Sequence, residues 1–406
     1  MHSEKEFPQV FDSVLFPKIF QAFRMAIQPR KLIIAFLAVA VICLAGWVMD
    51  RIVVAAPGSQ GETGVFSTLW YSAAPGFHGV AHSLLLFDLP GVKANITECF
   101  TAVQEVLSVH YLYCIIFFVI TLAVISVAGG AICRIAALQF ARGEKPGLTE
   151  ALRFSAKRFI SFFTAPLAPL GIIIFVGLFI FLLGLTGNIP GVGELIMGIF
   201  MLLALIAGAL IAVVLIGAIA GFNLMFPAVA YDNSDCFDAI SRSFSYVYAK
   251  PWRMGFYTAI AVVYGAICYM FVRTFAFLSL RAAYWFLQVG VLGDNSKLTA
   301  IWQKPSFGSL RGLLVLPGGT ESVAAILVYL SLLAVVGLVV SFIISFYFSA
   351  NTIIYSLMRN RVDNTALDDI YTHFEDVETG PATTESRSEE LQPESETQPD
   401  SPSSAE

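Results

Sequence analysis

The chain has 406 residues, 57% of them hydrophobic and only 13% charged, whereas soluble domains carry about 25% charged residues. A water-soluble core cannot absorb that much apolar surface, and the apolar residues come in blocks of the length, about 18 residues or more, needed to cross about 30 Å of hydrocarbon. The net charge of −5 divides into a slightly basic body and an acidic last segment, Glu375 to Glu406, with the bases spread along loop ends rather than gathered with aromatics, which excludes nucleic acid as a partner.

In chain order, residues 1–31 form an interfacial segment. Ile19, Phe20, Phe23 and Ala26 share one helical face opposite Lys18, Gln21, Arg24 and Gln28, a pattern that places a helix in the headgroup plane. The acids and bases ahead of the first apolar block read as an uncleaved signal anchor. Residues 32–358 then read as a six-span membrane domain, with spans Leu32 to Met49, His110 to Cys133, Phe162 to Leu185, Leu195 to Phe222, Gly255 to Leu280 and Val323 to Phe348. Backbone polar groups in lipid must be satisfied within each segment, so the spans are helices and the fold class is an all-α polytopic bundle. Seventeen of the 24 Lys and Arg fall before span one, in the loops 134–158 and 231–254, or after span six. That bias predicts a multi-pass inner-membrane protein with both termini cytoplasmic. The opposite loops, 50–108 and 281–322, are long and rich in Phe, Leu and Trp, including Trp70, Trp285 and Trp302. They are expected to cover the outer helix ends as interfacial or re-entrant pieces. A short cytoplasmic helix is expected over 359–374, and a disordered acidic tail over 375–406, where almost nothing can be buried to offset ordering entropy.

The six cysteines do not form a disulfide framework, because Cys43, Cys114, Cys133 and Cys268 fall in or beside spans and Cys99 alone lies in an outer loop.

Two internal recurrences suggest a threefold repeat. Outside, Leu89-Pro90-Gly91, Ile189-Pro190-Gly191 and Leu316-Pro317-Gly318 each precede an even-numbered span, with Glu194 and Glu321 placed in the first turn of the following helix. Inside, Glu150-Ala-Leu-Arg-Phe-Ser155 and Asp238-Ala-Ile-Ser-Arg-Ser243 open amphipathic stretches that run into odd-numbered spans, and Asp12-Ser-Val is a weaker copy. The unit is then an interfacial helix, an odd span, an outside Pro-Gly turn and an even span.

The third copy, Asp238 to Phe244 followed by Lys250-Pro251-Trp252-Arg253 and a span, resembles the recurring unit of uncharacterised bacterial six-helix membrane proteins. It also resembles the membrane domain attached to some glycerophosphodiester phosphodiesterases. The resemblance covers most of the apolar body and implies the six-span fold. The catalytic barrel of those enzymes has no counterpart here, so no catalytic residue is carried over.

Arg273 is the one base inside a span. An Arg at a helix centre costs roughly 2.5–3.5 kcal/mol on insertion scales. Two readings stand: a buried charge pair with Glu194 or Glu321, or snorkelling to the outer interface. His78 and His82 sit four apart but lack the Glu of a zinc-protease motif and a third ligand fixed by spacing, so no metal site is expected. Asp232, Asp235 and Asp238 read as caps of the third amphipathic helix. Ala204, Gly208 and Ala212 of span four and Ser341, Ser345 and Ser349 of span six read as facing small-residue stripes. Arg153, Lys157 and Arg158 suit anionic headgroups.

No catalytic or cofactor-binding residue is expected. The composition favours a non-enzymatic scaffold, lipid-interacting or regulatory membrane component whose partner is the bilayer itself. The alternative is a transporter or channel for a small or lipid-like solute, built on repeats.

Overall fold

A computed structural model describes residues 15–54, 64–291, 296–307, 310 and 320–371. The chain divides after Ile370, and of the second unit, Tyr371–Glu406, only Tyr371 is described. The expected acidic tail therefore lies outside the described residues, as do Asp12-Ser-Val and Leu316-Pro317-Gly318.

Among the described residues all regular structure is helical. A 3₁₀ turn, Phe16–Phe20, leads into α1 (Gln21–Ala26), followed by α2 (Pro29–Val54), α3 (Val65–Leu85), α4 (Leu89–Val109) and α5 (Tyr111–Arg142). Next come α6 (Leu148–Lys157), α7 (Phe159–Thr164), α8 (Ala168–Thr186), α9 (Gly193–Asp232) and α10 (Cys236–Ala249). The last are α11 (Pro251–Gly290), α12 (Ser296–Ile301) and α13 (Thr320–Val362). Six of these, α2, α5, α8, α9, α11 and α13, are long and apolar enough to cross a membrane. The protein is an all-α polytopic bundle.

At the basic side α5, α9 and α13 run past their predicted ends, whereas α8 starts at Ala168 rather than Phe162 because α7 (Phe159–Thr164) forms a separate short helix. With 40 residues, α9 is about 60 Å long at 1.5 Å per residue, roughly twice the hydrocarbon thickness. The surplus forms the core. Ala128 to Leu138 of α5, Leu224 to Tyr231 of α9 and Ala350 to Met358 of α13 are nearly all buried against one another. The three helices end in left-handed residues, Gly143 (φ 73°), Asn233 (φ 54°) and Asn364 (φ 54°), which stop each helix and turn the chain.

The packing is cyclic. α5, α9 and α13 contact one another at the centre. Each lead-in helix then sits on the central helix of the preceding unit: α6 on α5, α10 on α9, and α1 on α13, which closes the ring. The recurring serines lie at these junctions. Ser155 and Ser243 are fully buried. Ser155 Oγ donates to the Ser126 carbonyl at 3.1 Å, and Ser243 lies against Gly221. At the junction that closes the ring the serine is instead on the central helix, where Ser345 Oγ of α13 donates to the Ala26 carbonyl of α1 at 2.8 Å. Small residues recur there because backbone and side chain must approach closely.

A second recurrence is visible only in three dimensions. A base just before each odd span reaches the turn that ends its own unit's central helix. Arg30 donates to the Lys145 and Pro146 carbonyls at 2.6 and 2.7 Å, Arg158 Nε to Asn233 Oδ1 at 2.7 Å, and Lys250 Nζ to the Arg361 carbonyl. These three ties fix where each odd helix starts.

The ring is not evenly closed. α2 packs along both α5 and α13, sealing that seam with Gly337 under the Phe36 ring and Lys31 Nζ donating to Gln139 Oε1 and Ser349 Oγ at 3.1 and 3.4 Å. No comparable packing joins α8 to α5 or α11 to α9. The outer half of the α8–α9 hairpin faces lipid almost throughout, and Gly171, Gly177, Gly184, Gly198 and Gly208 have open space where a side chain would begin.

Several expectations change. The serine stripe of span six does not meet the Ala204, Gly208, Ala212 stripe. Ser345 and Ser349 face α1 and α2, whereas Ala212 is exposed. The continuous buried stretch of α9 runs from Leu224 to Tyr231, and none of Ala204, Gly208 and Ala212 is buried. Residues 359–374 do not form a separate helix as far as they are described. α13 runs on to Val362, and the following turn is tied back by Arg359 to the Asp369 carboxylate at 3.1 Å and by Tyr231 Oη donating to the Leu367 carbonyl at 2.7 Å. The loop 50–108 holds two helices, α3 and α4, and Pro90-Gly91 opens α4 rather than span two, with the Asp88 carboxylate accepting from Gly91 N at 3.1 Å.

Candidate functional site

At the basic end, Asp232 closes α9 and is 7% exposed at its side chain. A carboxylate at a helix C-terminus opposes the dipole. Two arginines offset this, Arg359 at 3.3 Å and Arg242 at 3.2 Å, and Tyr355 Oη donates to the same carboxylate. Asp232 is therefore not a cap of α10, which corrects the sequence reading. Asp235 is that cap, accepting from Asp238 N at 2.9 Å, while Asp238 pairs with Arg242 at 3.0 Å. Nearby, Tyr246 Oη donates to Asp363 at 2.5 Å, and burial together with Asp363 pushes this phenol up. This network joins units two and three, and each of its charges is paired within the protein. It holds the fold; it does not present a site.

The open seam between α9 and α11 does. Where these helices part, a cavity of about 230 Å³ lies among α3, α9, α11 and α13. Phe77, Ala81 and Leu84 of α3 line one end and Ala261, Gly265 and Phe346 the middle. Val262, which is 53% exposed, stands at the mouth, so the crevice opens sideways toward lipid. Its polar groups cluster at the end nearer the basic side: Asn223, Tyr347, Asn351 and Thr258. Thr258 stands six residues along α11 from Trp252, which is 91% exposed and suited to the interface, so these groups lie about 9 Å below that ring. Tyr347 Oη donates to Asn223 Oδ1 at 2.7 Å. Among the described residues no Lys, Arg, His, Asp or Glu lines the crevice.

Arg273 lies one turn beyond the crevice's Tyr269. Its guanidinium donates to Tyr269 Oη at 2.8 Å and to the Phe307 carbonyl at 2.7 Å, with its centre 5.3 Å from the Phe307 ring. Glu194 is exposed in the first turn of α9, and no ion pair joins it to Arg273 among the described residues. The side chain of Glu321 lies outside the described residues. Arg273 spends these donors on Tyr269 and the Phe307 carbonyl, while Glu194 stands at the exposed start of α9. His78 packs edge-on to Tyr269 and Phe307, with its ring centroid 6.3 Å from that of His82. Burial foremost, then Arg273 and His82, holds the His78 pKa below its ordinary value. No three metal-binding side chains gather among the described residues.

Sequence reasoning found Arg273 but missed the crevice. Asn223 and Asn351 are single amides inside apolar helices and carry no spacing signal, although a polar side chain at that depth is itself a flag. Of the three bases matched to headgroups, Arg153 and Lys157 are exposed, while Arg158 is committed to Asn233. Across family models, curated proteins and solved structures, nothing matches this chain.

Proposed function

We propose that this chain is a non-enzymatic, lipid-interacting protein of the inner membrane that holds an acyl chain in the crevice between α9 and α11. The observation that carries the reading is a cavity lined by apolar side chains and open toward hydrocarbon rather than water. An empty apolar crevice forfeits dispersion contacts on one side of every lining atom, so the chains of the surrounding lipid fill it. A hydrophilic solute would find few partners there.

Both termini are assigned to the cytoplasm, on the strength of the basic residues gathered at the ends of α5, α9 and α13. Arg153 and Lys157 would meet anionic headgroups at that face, each worth about 1 kcal/mol near the surface. Reporter fusions at the two ends should give the same side, and opposite sides would invert the assignment. A second reading, a transporter for a lipid-like solute, rests on the same sideways opening and parts from the first on whether the ligand crosses between leaflets.

Native mass spectrometry of the detergent-released full chain tests lipid retention. The wild type is expected to keep one lipid under activation that strips the bulk annulus. Ala261→Phe, which places a ring in the crevice, is expected to lose it. No retained lipid in the wild type, or equal retention in both proteins, would sink the proposal.

A further inference from the structure

Resting on the acyl-chain reading, we infer that the crevice selects an uncharged glycerol ester bearing a free hydroxyl, a mono- or diacylglycerol, through the side-chain amides of Asn351 and Asn223. Asn351 carries the argument. The residue is only 6% exposed, it lines the crevice, and its amide atoms, which make no side-chain hydrogen bond among the described residues, remain open to that crevice. An amide that turns into an apolar cleft without a protein partner keeps its donor and acceptor open there, which points to a partner supplied from outside the chain.

The geometry then narrows the chemistry. Asn223 gives its Oδ1 to Tyr347, which leaves its NH₂ as a donor toward the cleft. Asn351 offers both a donor and an acceptor, and the Thr258 hydroxyl stands on the facing helix. Two amide donors suit an ester carbonyl, and an amide oxygen suits a hydroxyl. A phosphate would demand a cation, and none lines the crevice among the described residues. Arg273, the nearest base, already donates to Tyr269 and the Phe307 carbonyl. The ligand's chains would extend from the amides along Ala261, Gly265 and Phe346 toward Phe77.

The experiment is photo-crosslinking of the full chain in phosphatidylcholine nanodiscs. Three probes carry the same diazirine-labelled acyl chain: a diacylglycerol, the corresponding phosphatidylcholine, and a hydrocarbon lacking ester and hydroxyl. The diacylglycerol is expected to label the α11 and α13 residues of the crevice in preference to the other two. Asn351→Leu should lower that labelling about tenfold, as for one neutral hydrogen bond of about 1.4 kcal/mol, and leave the hydrocarbon's labelling unchanged. Asn223→Leu supplies a second variant, and the probe comparison on the wild type stands even where a variant folds poorly. Equal labelling by all three probes, or a preference for the phosphatidylcholine, overturns the acylglycerol assignment while leaving the acyl-chain reading intact. Absence of crevice labelling by any probe overturns both.

Discussion

Replacing Asp232 with alanine is expected to cost about 3–5 kcal/mol of stability, the range for leaving the partner of a buried ion pair uncompensated. Most of that loss is assigned to Arg359, whose side chain is 11% exposed and would keep only the largely exposed Asp369 as a partner, because Arg242 at 36% keeps access to water and to Asp238. Tyr355 loses its acceptor as well. The double variant Asp232→Leu, Arg359→Met should recover most of the deficit, since it removes the stranded cation along with its partner. Unfolding of the detergent-purified protein, followed by size exclusion after heating, reads both variants. A single variant that melts like the wild type would show that the three central helices do not depend on this carboxylate.

The second large effect separates two kinds of glycine. A side chain begun at Gly130 on α5 would lie 2.4 Å from Ser155 Oγ and 2.7 Å from the Phe162 ring. Those atoms belong to α6 and α7, which sit on α5 at a lead-in junction. Gly130→Leu should therefore cost at the upper end of the roughly 1–3 kcal/mol of overpacking, and more if α6 is displaced. Gly177 on α8 has nothing within 4 Å. Gly177→Leu should be neutral or stabilise by about 0.5–1 kcal/mol through helix propensity. Measured side by side by the same melting assay, equal penalties at both sites would mean that the α8–α9 hairpin is covered, and that the cyclic junctions are less tightly packed than the structure has them.

The lead-in junctions also explain the recurrence that the sequence displays without its reason. Glu150 to Ser155 and Asp238 to Ser243 share an acid and a serine because each acid serves the start of its helix and each serine presses on a small residue of the preceding central helix. Periodicity shows the amphipathic face but not which helix it meets, and here that helix belongs to the preceding unit rather than to its own.

Legible along the chain were the apolar medium, the helical class, the six spans and the amphipathic lead-in stretches from Glu150 and Asp238, because apolar run length, periodicity and the need to satisfy backbone groups in lipid are local properties. The sequence also marked Arg273 as costly. Only the packing of distant helices shows that the central helices extend into a shared apolar core tied at its end by Asp232, that Arg30, Arg158 and Lys250 tie each odd span to the end of its own unit's central helix, and that one seam closes while the α9–α11 seam stays open. These depend on which faces of distant helices meet, and the pairing of Arg359 with Asp232 across 127 positions leaves no periodic trace along the chain. Asn351 shows the limit most plainly: one amide in an apolar run becomes a recognition group only because two other helices part beside it.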